Sequence, residues 1–217
     1  MSYPATGRTG DGFRWAEELG HAVVPIRPSL VPLEPKEDWL PQLQGTALRN
    51  VKVKAQAGKE VLGEEFGEML FTHFGVSGPI ILSLSGYISR YWKNRRQEVV
   101  LQINLKPALT PEQLDRRIQR DLYAAGNKQY KNSLGELLPR ALIPVIVELS
   151  GVPGEKKANQ VTREERQALA HLLQHLPVTA VRPRPVEEAI VTAGGVSVKE
   201  IDPRTMASRL WSGLYFA

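Results

Sequence analysis

No cysteine occurs among the 217 residues. A disulfide framework, a thiolate metal site and a cysteine nucleophile are therefore excluded. Histidine is scarce, at four residues. His171 and His175 stand four apart, but no glutamate lies between them as in an HExxH helix, so the sequence offers no metal spacing. No apolar run reaches the roughly 18 residues that a membrane span needs. The first eleven residues are polar and glycine-rich, without the apolar stretch of a secretory leader, so a cytoplasmic protein with no membrane partner is expected. At 42% hydrophobic and 24% charged the chain is neither disordered nor fibrous, and its length suits one large domain or two small ones.

What is present is punctuation. Sixteen prolines and eighteen glycines predict many turns and few long helices. Phe13, Ala16 and Leu19 recur at helical spacing after Gly10-Asp11-Gly12, and Gly20 reads as a stop. Five prolines between Pro25 and Pro41 favour short extended pieces, one of them Ser29–Leu33. Val51, Val53 and Ala55 alternate with lysines, a turn follows at Gly58-Lys59-Glu60, and a partner strand is expected near Val61–Phe66. Gln97–Leu105 alternates again. Pro79 after Ser77-Gly78 predicts a helix over Pro79–Trp92 with a serine cap. Thr110-Pro111-Glu112-Gln113 and Thr162-Arg163-Glu164-Glu165 read as capping boxes opening two further helices. Leu134–Leu149 reads as a helical pair broken at Pro139 and Pro144. Val178–Pro185 reads as extended. A small all-helical unit is thus set inside a strand-rich one.

The charge is uneven. Ten Lys/Arg and four Asp/Glu lie between Arg90 and Lys131, a balance of +6 against +5 for the whole chain. Arg90, Lys93, Arg95 and Arg96 alternate with Tyr87, Tyr91 and Trp92, and Arg116 and Arg120 add one face of a later helix. Arginines beside aromatics suit phosphates and exposed bases, so RNA or another polyanion is a candidate partner; a solvated face is the other reading. His73, between Phe71 and Phe74, suits either proton transfer or packing. The paired glycines of Thr192-Ala193-Gly194-Gly195-Val196 allow close approach to a ligand or a simple turn.

Three segments together resemble a known family. They are Ser2–Gly7 with Thr9–Gly12; Gly67-Glu68-Met69-Leu70-Phe71-Thr72-His73-Phe74-Gly75-Val76-Ser77-Gly78-Pro79; and Ala189–Val196 with Gly213–Ala217. The chain is similar to the HI0933-like (YhiN/BaiN-type) flavoproteins, which are NAD(P)/FAD-dependent oxidoreductases; Arg8 departs from the small residue of that pattern. The resemblance implies an α+β protein: a β-barrel-like insert over 26–107 with 176–187, a small helical subdomain over 108–175, and remnants of a Rossmann-type FAD domain over 1–25 and 188–217. It implies FAD in a longer parent, with this chain as the middle piece retaining none, and hydride transfer from reduced flavin to an activated double bond. On that resemblance Thr192, Ala193, Gly194, Gly195 and Val196, with Thr72 and Gly75, are the expected flavin contacts, followed by Thr6, Gly7, Gly10 and Gly12. His73 is the candidate proton donor. Arg90, Lys93, Arg95, Arg96, Arg116 and Arg120 are the candidate substrate or polyanion contacts, and the missing FAD domain and RNA the expected partners.

Overall fold

In the computed structural model, which describes residues 10–95 and 97–216, the lysine-alternating stretch is β3 (Ala47–Ala57), and its inward Val51, Val53 and Ala55 are fully or almost fully buried. A two-residue turn at Gly58-Lys59 returns it into β4 (Glu60–Thr72). β4 is twice as long as the expected partner. Its face alternates through Gly63 and Gly67, which weakened the strand signal in the sequence. β5 (Gly75–Ser77), β2 (Leu33–Pro35), β6 (Val99–Asn104) and β7 (Leu176–Pro183) complete a closed antiparallel barrel in the order β2-β5-β4-β3-β6-β7. Closure leaves this sheet no free edge.

β1 (Val23–Ser29) and β8 (Val191–Val196) form a separate two-stranded ribbon. The piece expected at Ser29–Leu33 is instead the joint between two strands: Ser29 ends β1, Leu33 begins β2, and Leu30 between them turns at a positive φ of 47°. Pro25 and Pro28 fit inside β1 because each strand of a two-stranded ribbon has an unpaired side.

Among the described residues five α-helices accompany the strands: α1 (Asp11–Glu18), α2 (Pro79–Trp92), α3 (Pro111–Ala125), α4 (Leu142–Ser150) and α5 (Arg163–Gln174). None of the described residues forms a helix long and apolar enough to cross a membrane. α2 has the expected span, but its cap is Gly78, with no side-chain hydrogen bond, and Ser77 belongs to β5. Both capping boxes form: Thr110 N–H donates to Gln113 Oε1 (2.9 Å) and Gln113 N–H to Thr110 Oγ1 (3.2 Å), with Thr162 and Glu165 arranged likewise. The region 134–149 holds one helix, not two. Leu134–Leu138 form turns, and Pro144 lies in the first turn of α4, where its missing N–H breaks no intrahelical bond.

The helical unit is joined to the barrel through a single hydrophobic cluster running from Val53 and Leu101 to Leu142 and Leu169. A backbone bond crosses the joint, Leu105 N–H to Leu173 O (2.8 Å), and Gln174 Nε2 donates to Leu109 O (2.8 Å) just beyond it.

Candidate functional site

α2 lies across the inward side of β4. That approach needs small residues beneath it: a Cβ on Gly63 would stand 3.2 Å from Leu84 and Tyr87, and one on Gly67 2.9 Å from Ile80. Glu65 shares this face by strand alternation and stands opposite the fully buried Val53. A carboxylate on a core-facing position is unusual. It is half-buried, and among the described residues no ion pair neutralises it. It opens into a cavity of about 560 Å³ between α2 and the ribbon.

The ribbon contributes Arg27, Ser29 and Ala193 to this cavity, and α2 contributes Ser83, Tyr87, Ser89 and Arg90. The wall is pinned where the Val31 N–H donates to Ser85 Oγ (2.9 Å) and Ser85 donates to Leu82 O (2.7 Å). Ser89 Oγ is the one buried side-chain polar atom, among the described residues, with no hydrogen-bond partner. Leaving a buried hydroxyl unmet costs about 1–3 kcal/mol. The cavity therefore combines two guanidinium groups, a carboxylate, hydroxyls and one phenol ring in a wall somewhat more polar than apolar.

The basic stretch is divided by the fold. Arg90 also lines an adjoining groove of about 360 Å³ with Tyr87, Tyr91 and Arg95. Arg95 lies over the Tyr91 ring (5.1 Å) and pairs with Glu60 (2.5 Å). Lys93 is exposed at the end of α2, and Arg96 lies outside the described residues. Trp92 donates its indole N–H to Gln97 O (2.8 Å). Arg116 is carried to a different groove, about 450 Å³ between α3 and α5, with Arg163, His171 and His175. Arg120 pairs with Asp121 (3.1 Å). Among the described residues no three potential metal ligands cluster.

The expected flavin contacts are less concentrated. Thr192–Val196 is not a turn after a strand but lies within β8. A Cβ on Gly194 would fall 2.4 Å from Pro25 O, and one on Gly195 2.9 Å from the Phe13 ring, so both glycines have a packing reason to be glycine. Of this set Ala193 lines the cavity. Thr72 Oγ1 and the backbone of Gly75 bond each other (3.1 Å each). His73 is exposed at the tip of the β4–β5 turn, edge-on to Phe74 (4.8 Å). Gly10 caps α1 at a φ of 80° and Gly12 is exposed in its first turn; Thr6 and Gly7 lie outside the described residues. In the described residues the space beside Gly194 and Gly195 is taken by β1 and Phe13, and the Thr72 hydroxyl bonds Gly75.

The His73 turn is held from below by charge. Arg184 covers Phe74 (4.7 Å) and pairs with Glu188 (2.5 Å) and Glu34 (2.8 Å), while Arg182 also reaches Glu34 (2.5 Å). Partial burial opposes the charged form of Glu34, but hydrogen bonds and charges from Arg182 and Arg184 outweigh it and hold the carboxyl below its ordinary value of 4.5. A carboxyl so lowered stabilises the fold above that ordinary value, and the contribution disappears as pH falls through the folded-state pKa. Urea melts between pH 7 and pH 3 are expected to show a steeper acid loss for the native chain than for Glu34→Gln. Equal slopes would refute this assignment.

A family model described as "HI0933-like protein barrel and H2TH domain" matches residues 27–191. The chain belongs to this HI0933-like family. The matched region of this HI0933-like chain runs from one strand of the ribbon to the other, with Arg27 in register with Ala193 and Ser29 with Val191. Among curated proteins it is 33% identical to the ribosomal RNA dihydrouridine synthase of Haemophilus influenzae over 218 residues, covering all of this chain and 50% of that protein. It is 33% identical to the Escherichia coli protein of the same name, covering 100% and 51%. It is 28% identical to the 3-dehydro-bile acid delta(4,6)-reductase of Clostridium scindens, covering 96% and 51%. The HI0933-like chain thus spans about half the length of the curated relatives it matches.

The sequence reading missed Arg27, Ser29, Glu65, Ser83 and Ser89. Two signals were available: an acid between glycines at Gly63-Glu64-Glu65-Phe66-Gly67, and three serines on the otherwise apolar α2.

Proposed function

We propose that this chain is the substrate-side insert of a longer cytoplasmic NAD(P)/FAD-dependent oxidoreductase that saturates a carbon–carbon double bond conjugated to a carbonyl, and that its substrate is a uracil ring in ribosomal RNA. The observation that carries the reading is the ribbon: the two ends of the family-matched region, residues 27 and 191, lie on its two paired strands, two residues out of register. Adjacent ends are what an inserted domain requires. Relatives twice as long support a partner domain beyond this chain.

The names of the relatives describe one chemistry on two substrates. A dihydrouridine is a uridine with two hydrogens added across its ring double bond, next to a carbonyl. A 3-dehydro steroid with 4,6 double bonds carries alkenes conjugated to a ketone. FAD, when bound by the longer protein, supplies the hydride that such a saturation requires. Thr192–Val196 and the Thr72–Gly75 turn are this chain's flavin-side segments in our reading, with Thr6, Gly7, Gly10 and Gly12 as further candidates, and exposed His73 is the candidate proton donor. The polar cavity with its adjoining aromatic–arginine groove favours RNA over a steroid. The same groove supports a second reading, an RNA- or polyanion-binding module over Arg90–Arg120 without redox chemistry.

The test is to reduce the FAD of a longer protein carrying this chain with NAD(P)H, then add ribosomal RNA lacking the modification. Flavin reoxidation coupled to a gain of two hydrogens on one uridine is expected, as is a fall in kcat of about 10²-fold or more for His73→Ala if it is the general acid. A flavin-free protein, or reduced flavin that RNA leaves unoxidised, refutes the oxidoreductase reading; RNA binding without reoxidation selects the module.

A further inference from the structure

We propose that the cavity between α2 and the ribbon is a nucleotide site that takes a single-stranded uridine of RNA, its phosphate held by Arg27 and Arg90, its base stacked on Tyr87 and its imide N–H accepted by Glu65. This rests on the reading of RNA as substrate and names the residues that would receive it.

Five observations converge. Arg27 and Arg90 come from different elements yet line one cavity, and among the described residues neither is spent on an ion pair. Two unspent guanidinium groups are suited to a phosphodiester, which accepts their paired N–H donors. Glu65, half-buried on an inward strand position, lines the same cavity and is also without an ion pair among the described residues. A carboxylate beside a phosphate site is costly unless its partner donates, and a uracil ring has one N–H on its pairing edge, flanked by two carbonyls, whereas cytosine has none at that nitrogen. Tyr87 is 48% exposed on the rim, a ring placed for stacking an unpaired base. Ser89 Oγ is buried without a partner in the same wall, and Ser29 adds a second hydroxyl. A volume of about 560 Å³ lies within the usual range for small-ligand sites. A bile acid, with a fused hydrocarbon body, would leave these polar groups unmet.

The chain is titrated with pentauridylate and pentacytidylate at two or more salt concentrations. Pentauridylate is expected to bind about tenfold more tightly, with log K falling against log salt at a slope near −1.4, as for about two phosphate contacts on a single strand. Arg90→Ala, on an exposed residue, is expected to weaken binding about tenfold and to flatten the slope by about 0.7. Tyr87→Ala weakens both oligomers about tenfold or more. Glu65→Gln brings the two oligomers to near parity while binding of pentacytidylate is kept or strengthened. Unchanged circular dichroism and melting show that the variants are folded. Binding that these substitutions leave intact, absence of binding at low salt, or displacement of pentauridylate by a 3-oxo steroid overturns the site. A longer protein that modifies RNA with an unchanged KM in Arg90→Ala overturns the site and leaves the proposed function standing. Uridine-selective binding lost in the variants, with no RNA reduction by the longer protein, upholds the site and refutes that function.

Discussion

Gly75→Ala is expected to lower the melting temperature of the chain by about 10 °C, equivalent to about 3 kcal/mol or more for a domain of this size. The barrel closes at its weakest seam here. β5 and β2 have three residues each, and they meet at one register pair, Leu33 with Val76. Gly75 sits at a φ of 149°, and a Cβ on it would lie 2.3 Å from Leu33 O and 2.4 Å from Pro35 Cδ. A carbonyl oxygen and a proline ring cannot swing aside as a flexible side chain can. The seam must open, and with it the Thr72–Gly75 turn that holds His73. Gly135→Ala, at a site with open space around it, is the control and should melt within about 2 °C of the native chain, the scale of a neutral surface change. A Gly75 variant melting as closely as that would show that the seam is not what holds the barrel.

Gly194→Ala is expected to separate function from barrel stability. Its Cβ would stand 2.4 Å from Pro25 O at a φ of 106°, so β8 cannot lie against β1 as it does. The ribbon is a sheet of its own, and the barrel strands do not depend on its pairing. Hydrogen exchange should therefore quicken at the β1 and β8 amides and stay slow in β3, β4 and β6. In the longer protein turnover should fall by about 100-fold, the penalty of misplacing reacting groups by about 1 Å. The ribbon bears Arg27, Ser29 and Ala193 into the cavity and, in our proposal, carries the insert on its flavin domain. Turnover within threefold of the native protein, on a ribbon shown by exchange to have opened, would remove the ribbon from the functional argument.

These outcomes turn on positions whose importance the sequence displayed only partly. Local signals were legible wherever one short segment decides its own structure. Thr110 with Gln113 and Thr162 with Glu165 satisfy orphan helix N–H groups within four residues, so both caps were readable and both form. Pro79 fixed the start of α2, and the lysine alternation of β3 fixed its inward face. The resemblance carried the family and the barrel with a helical unit, because its motifs are spread along the chain. Pro144 was misread as a break because proline disrupts a helix interior but not its first turn. The basic stretch was read as one surface because charge was counted along the chain, whereas α2 and α3 deliver Arg90 and Arg116 to different grooves.

The sequence by itself determined the two capped helices, the span of α2, the inward face of β3, the absence of thiol chemistry and the kinship, since each depends on residue type and short-range spacing. The tertiary structure decided that Arg27, Glu65 and Arg90 share one cavity, that Gly194 serves β1 and Gly195 serves Phe13, and that Gly75 closes a barrel. Those facts depend on residues brought together from distant parts of the chain by strand pairing and a common core, and no local pattern encodes such distances.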